Sequence, residues 1–145
     1  MTQEYVCRPI GTVVSSFKER SSPPFTERNT DLISKIIIDP MYIQGLERLS
    51  AGKEMFVLCW FDRSDRSVLR VHPRGDRKNP LTGVFNTRSP DRPNPVSLTL
   101  VTLEDIQENI LTVRGLDALD TTPVIDIKPC STKSLEEKFP CVTET

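Results

Sequence analysis

The sequence is poor in the patterns that would announce a function at once. It has one histidine, His72, and four cysteines, Cys7, Cys59, Cys130 and Cys141, with no CxxC pair among them. A zinc site needs closely spaced ligands to anchor it, so no metal is expected. Cys7 and Cys59 fall in apolar stretches and read as buried thiols. No apolar run approaches the roughly 18 residues of a membrane span. The start, MTQEYVCRPIG, lacks the basic and apolar parts of a signal peptide. A cytoplasmic chain without membrane contact is the expectation. There is no GxGxxG, no P-loop and no alternation of strands with long helices, which sets aside Rossmann-type nucleotide binding. Repeats and low-complexity segments are also absent.

What remains is a chain of 145 residues, 37% hydrophobic and 27% charged, enough for one domain with a real core. Segments rich in β-branched residues at 5–15, 34–39, 53–61, 67–72, 83–87, 95–106, 109–119 and 123–129 read as strands, with a turn near 107–109. KEMFVLCWF (53–61) reads as a central buried strand with Trp60 in the core, and 67–72 as its hairpin partner or neighbour. Asp39-Pro40 reads as an N-cap and first residue of a short helix over 40–49, with Met41, Leu46 and Leu49 near one face and Gly52 as its stop. Gly45 within it suits close packing. The expected fold is mainly β: a small antiparallel barrel over residues 1–130, with one short helix and long loops. Residues 131–145 read as a C-terminal tail. The polar stretch 16–33, with Pro23-Pro24, is a long loop of the kind that often carries function.

The net charge of −1 conceals a division. Residues 63–92 hold eight Lys or Arg against three Asp, a net +5, whereas 103–145 hold nine acidic residues against four basic, a net −5. A basic centre of this kind can meet an anion such as a nucleic acid, or can be plain solvated surface.

Within the basic centre lies GVFNTRSPDRPNPVSLTL (83–100). Pro90, Pro93 and Pro95 each fix φ and hold the residue before them extended. A loop so stiff loses little entropy on binding. Arg88 and Arg92 offer planar forks that suit a carboxylate or phosphate, and Asn94 both a donor and an acceptor. The alternative is a rigid crossover whose arginines pair with Asp91 and the acidic C-terminal part. A second cluster, GLDALDTTPVIDIKP (115–129), spaces Asp117, Asp120 and Asp126 among apolar residues. Asp120-Thr-Thr-Pro reads as a turn. Asp126 and Lys128 stand two apart on a strand, so they share one face: either functional or an exposed pair.

TRSPDRPNPVSL and LDALDTTPVIDIKP, in this order and spacing, resemble the signatures of the TsaA/TrmO-type family. CRPIGTVVSSF and KEMFVLCWF fit the same layout, and the likeness runs over about residues 5–130. The resemblance implies a β-barrel methyltransferase that uses S-adenosylmethionine, acts as a homodimer, and N-methylates N6-threonylcarbamoyladenosine beside the tRNA anticodon. Matching motif positions implies a cofactor site of Phe85, Thr87, Arg88, Ser89, Arg92, Pro93, Asn94, Leu119, Asp120, Thr122, Asp126 and Lys128. Asp126 or His72 is the candidate catalytic base, although His72 also reads as a strand-end residue near the cleft. Arg74, Arg77 and Lys78 are expected to meet RNA phosphates. Four turns depart from the family pattern, at Ser16, Ser97, Thr121 and Cys130, and the loop PPFTERN lacks the expected glutamine. These departures leave open a small-molecule or protein acceptor, or a non-catalytic nucleotide-binding or RNA-binding barrel.

Overall fold

The computed structural model describes residues 2–18 and 32–130. Most of the 16–33 loop, Cys141 and the 131–145 tail lie outside the described residues. Six strands close into an antiparallel barrel: β1 (Gly11–Val14), β2 (Ile33–Ile38), β3 (Glu54–Trp60), β6 (Val96–Gln107), β7 (Ile110–Arg114) and β8 (Pro123–Pro129), in the spatial order β1-β2-β7-β6-β3-β8. Two further strands, β4 (Arg70–Val71) and β5 (Thr82–Gly83), pair only with each other and form a separate arm.

Alternation along each strand fills the barrel. Val13, Ile36, Ile38, Met55, Val57, Cys59, Val101, Leu103, Leu111, Val113 and Val124 are buried side by side in one cluster. Their alternate neighbours face outward, as a pleated strand requires. β6 is long because it serves two partners, pairing with β3 from Val96 to Thr102 and with β7 from Thr102 to Gln107. Two irregularities reset the phase. Opposite Leu58 and Cys59, β8 skips from Asp126 to Val124, so Val124 points in while Asp126 points out. A second skip lies at Leu103/Asp105 on β6. Gly11 lets β1 and β2 close tightly, since a Cβ there would stand 2.5 Å from the Ile37 carbonyl oxygen.

Several sequence expectations need correction. The first strand begins only at Gly11, and residues 2–9 are exposed and unladdered, so Cys7 is exposed rather than buried. β3 is central, but Phe56, Leu58 and Trp60 lie on its outer face and are only half-buried, so Trp60 is not core. Residues 67–72 do not pair with β3, because their ladder goes to β5. Most of 83–87 is a 3₁₀ turn, Val84–Asn86, and β7 stops at Arg114 instead of running to 119. The helix is a 3₁₀ segment, Pro40–Leu46, with Asp39 capping the Met41 N–H as anticipated. Leu46 is buried and Leu49 packs on the core, but Met41 is 74% exposed. Among the described residues, no atom outside its own helix's backbone lies within 4 Å of the place a Cβ would take at Gly45, so close packing against them is not its role. Gly52 lies beyond the helix, in the turn before β3, at φ 96°.

Candidate functional site

Beyond β7, Gly115 turns the chain at φ 93° and residues 115–122 cross the barrel end. Leu116, Ala118, Leu119 and Thr122 are buried beneath this crossing. Their burial fixes Asp117 and Asp120, which alternate with them, at the rim. Asp117 is exposed along part of its surface, yet the surrounding protein desolvates its carboxyl and raises its pKa to about 6, the nearby Arg88 charge working the other way. The Asp120 carboxylate is held below the usual range, chiefly by Lys18 Nζ at 2.6 Å and then by the Ser15 N–H at 3.0 Å.

A further side chain joins the Asp120 turn to the exit from β1. Arg63 donates to the Lys18 carbonyl at 2.9 Å, the Asp120 carbonyl at 2.8 Å and Thr121 Oγ1 at 2.7 Å. Backbone bonds from Asp120 N–H to Phe17 O and from Thr121 N–H to Val13 O complete the junction.

The proline-rich loop borders this rim, and its two arginines differ. Arg92 is half-buried and turned inward: Nε donates to Ser89 O at 2.8 Å, and Nη2 to Val84 O at 2.6 Å and to Thr87 O. Side chains repeat the pattern, with Thr87 Oγ1 accepting from the Ser89 N–H and Ser89 Oγ from the Asp91 N–H. Arg66 ties the loop to the barrel through Pro93 O and Asn94 Oδ1, with its guanidinium 5.1 Å from the Trp60 ring centre. Arg88 instead reaches out to the Leu98 carbonyl, on the part of β6 that has no β7 partner.

Of the residues singled out from sequence, the fold brings Thr87, Arg88, Ser89, Arg92, Pro93 and Asn94 into one loop, and Leu119, Asp120 and Thr122 into the crossing segment. The Arg88 charge acts on Asp117 from one segment to the other. Phe85 projects from the loop and is 84% exposed. Asp126 and Lys128 are 3.0 Å apart on the outer face, an exposed pair opposite Leu58 and Phe56. His72 sits on the arm, with Nδ1 2.9 Å from Asn79 O. A carbonyl only accepts, so Nδ1 carries the proton in this bond. On the arm, Arg70, Arg74, Arg77 and Lys78 are exposed, with no side-chain polar partner among the described residues. Ser15, Lys18 and Arg63 were not singled out beforehand. Arg63 lies in an ordinary DRSD turn, and only the folded chain shows that it faces Thr121.

This is a small antiparallel barrel that gathers an arginine and two carboxylates on loops at one end, with a basic arm beside them. The chain belongs to the TrmO family, its residues 12–134 matching the tRNA-methyltransferase O N-terminal domain. A probable S-adenosyl-L-methionine-binding protein of Methanothermobacter thermautotrophicus is 52% identical over 122 residues, covering 84% of this chain and 87% of that protein. An S-adenosyl-L-methionine-binding protein of Archaeoglobus fulgidus is 44% identical over 126 residues, covering 87% and 89%. The crystal structure of TrmO from Pseudomonas aeruginosa superposes with a TM-score of 0.71 at 28% identity, covering 91% of this chain and 58% of that one. Another TrmO structure gives 0.75 at 26% identity, covering 100% and 61%. The chain thus spans about three-fifths of the length of the solved TrmO proteins.

Proposed function

We propose that this chain is an S-adenosylmethionine-dependent N-methyltransferase whose acceptor is N6-threonylcarbamoyladenosine beside the tRNA anticodon. The observation that carries the cofactor assignment is the Arg88 charge acting on Asp117, which shares its crossing segment with Asp120. The donor set fits the group: a guanidinium for its carboxylate, and carboxylates for its ammonium and ribose diol. Thr87, Ser89 and Asn94 add neutral donors and acceptors from a loop already fixed before binding. When bound, the cofactor supplies a methyl group at an electron-poor sulfonium. The chain's own task is to align the acceptor nitrogen and to leave the proton of that nitrogen a base. Asp117, ionised above about pH 6, is closer to hand at the rim than the paired Asp126.

The four exposed cations of the arm, without a side-chain polar partner among the described residues, support an RNA acceptor, since they can meet phosphates without breaking a bond seen there. A homodimer is supported by the outer face of β3 and β6. There Val96, Leu98 and Leu100 are 39%, 47% and 47% exposed beside half-buried Phe56, Leu58 and Trp60, a contiguous apolar face next to Arg88. In this reading the protein works in the cytoplasm, where its tRNA is. Calorimetric titration with S-adenosylmethionine, followed by methyl transfer to tRNA with and without the threonylcarbamoyl group, tests the proposal. Saturable binding near one per chain and transfer only to the modified tRNA are expected. Cofactor binding without transfer to either tRNA would overturn the acceptor, and no binding by folded dimer would overturn the cofactor site.

A further inference from the structure

We infer that Arg63 is the positioning residue for the Asp120 carboxylate, holding a strained turn in place while leaving that carboxylate free to meet a ligand. The inference rests on the reading that Asp120 belongs to the cofactor site. Thr121 lies at φ 69°. For a β-branched residue this left-handed conformation is a genuine outlier, kept only where surrounding contacts enforce it. Two cationic side chains link the turn to the segment leaving β1, beside the Asp120 carboxylate's own bond from the Ser15 N–H. Lys18 does so through the carboxylate itself, and its side chain is 68% exposed. A ligand ammonium or diol arriving at Asp120 competes with Lys18, which can retreat into water.

Arg63 makes no such competition. Its three acceptors are the carbonyls of Lys18 and Asp120 and the hydroxyl of Thr121. The planar fork can therefore keep its bonds after Lys18 has been displaced. With Lys18 gone, Arg63 still bridges the junction, beside the bond from the Ser15 N–H to Asp120 Oδ1 and the two backbone bonds. It then steadies the Asp120 backbone from which the carboxylate projects. The Thr121 hydroxyl takes part as an acceptor, which gives a threonine a use at a position whose backbone would suit glycine better.

The test is calorimetric titration of the full chain with S-adenosylmethionine, paired with thermal melting of each variant. Asp120→Asn examines the underlying reading and is expected to weaken binding at least about tenfold, the scale of a lost charge-assisted contact. Arg63→Met is expected to weaken binding about tenfold as well, with a smaller loss for Arg63→Lys. Adding Thr121→Gly to Arg63→Met relaxes the turn and is expected to recover most of the lost affinity. A merely structural arginine would change the melting temperature without this rescue. If Asp120→Asn weakens binding but Arg63→Met stays within about twofold of the parent, the inference is overturned while the site reading stands. Failure of Thr121→Gly to restore affinity would overturn it equally. If Asp120→Asn leaves binding unchanged, the site reading itself falls. Should Arg63→Met not fold, Arg63→Lys carries the comparison, and parental affinity in that variant overturns the inference.

Discussion

Replacing Arg92 with alanine separates two roles for the proline-rich loop. The guanidinium bonds the carbonyls of Ser89, Val84 and Thr87 from a half-buried position. Val84 O also accepts from the Thr87 N–H and from Thr87 Oγ1, so it remains satisfied after truncation. The Thr87 and Ser89 carbonyls lose their charged donor. A hydrogen bond to a charged group contributes about 1.5–3 kcal/mol, and water reaching a half-buried loop recovers part of it, which leaves about 2 kcal/mol. For a chain of this size each kcal/mol moves the melting temperature by about 3 °C. Arg92→Ala should therefore melt about 6 °C lower and be cut faster by trypsin after Arg88. Differential scanning calorimetry and timed proteolysis measure both. An unchanged melting temperature and cutting rate, together with lost S-adenosylmethionine affinity, would refute the reasoning, because the guanidinium would then serve the ligand and not the loop.

Three other outcomes are expected. Gly11→Ala puts a methyl 2.5 Å from the Ile37 carbonyl oxygen, which is backbone and cannot step aside; the melting temperature should fall by about 6 °C or more, the scale of a 2 kcal/mol overpacking cost, and parental melting would refute the close approach. Asp117 binds its proton more tightly folded than unfolded, since its pKa rises to about 6 from an ordinary carboxylate value. Its contribution is present in full below about pH 4 and is lost as pH rises through 6, so Asp117→Asn should gain stability relative to the parent across that window in thermal melts at stepped pH, and parallel curves would contradict the desolvation. Replacing Arg74, Arg77 and Lys78 with alanine should weaken tRNA binding for every sequence and lower the log–log salt slope by about 2–3; an unchanged slope means that the arm does not touch phosphate.

The barrel was legible because period-two burial is a property of short segments. Val13, Ile36, Val57, Leu111 and Val113 each sit in a run whose alternate residues face out, and the turn at Glu108-Asn109 joins β6 to β7 where a strand break was expected. What failed were judgements that depend on the neighbour. KEMFVLCWF is apolar at nearly every position, which suits burial on both faces, yet a barrel buries only the inner one and leaves Trp60 under Arg66. The stretch 67–72 alternates like a strand of the main sheet but finds its partner in β5. The β8 bulge was equally hidden. Alternation alone would put Val124 and Asp126 on one face, and the extra residue separates them.

The site was legible to the extent that stiffness and charge are local. Three prolines in six residues marked the loop, and the aspartates spaced among leucines marked the crossing. The partners of those charges were not local. Two arginines four residues apart look equivalent in sequence, but one is closed within the loop by carbonyls and the other extends to Leu98 and acts on Asp117. What separates them is the acceptors each meets in the fold, loop carbonyls for Arg92 and a β6 carbonyl for Arg88. The loop is therefore best understood as two layers: Arg92 and Arg66 spend their donors making it rigid, and that rigidity fixes where Arg88 stands. A basic loop of this composition is not simply a patch of positive charge. Of its two arginines, Arg92 is an internal fastener and Arg88 is the one left at the rim.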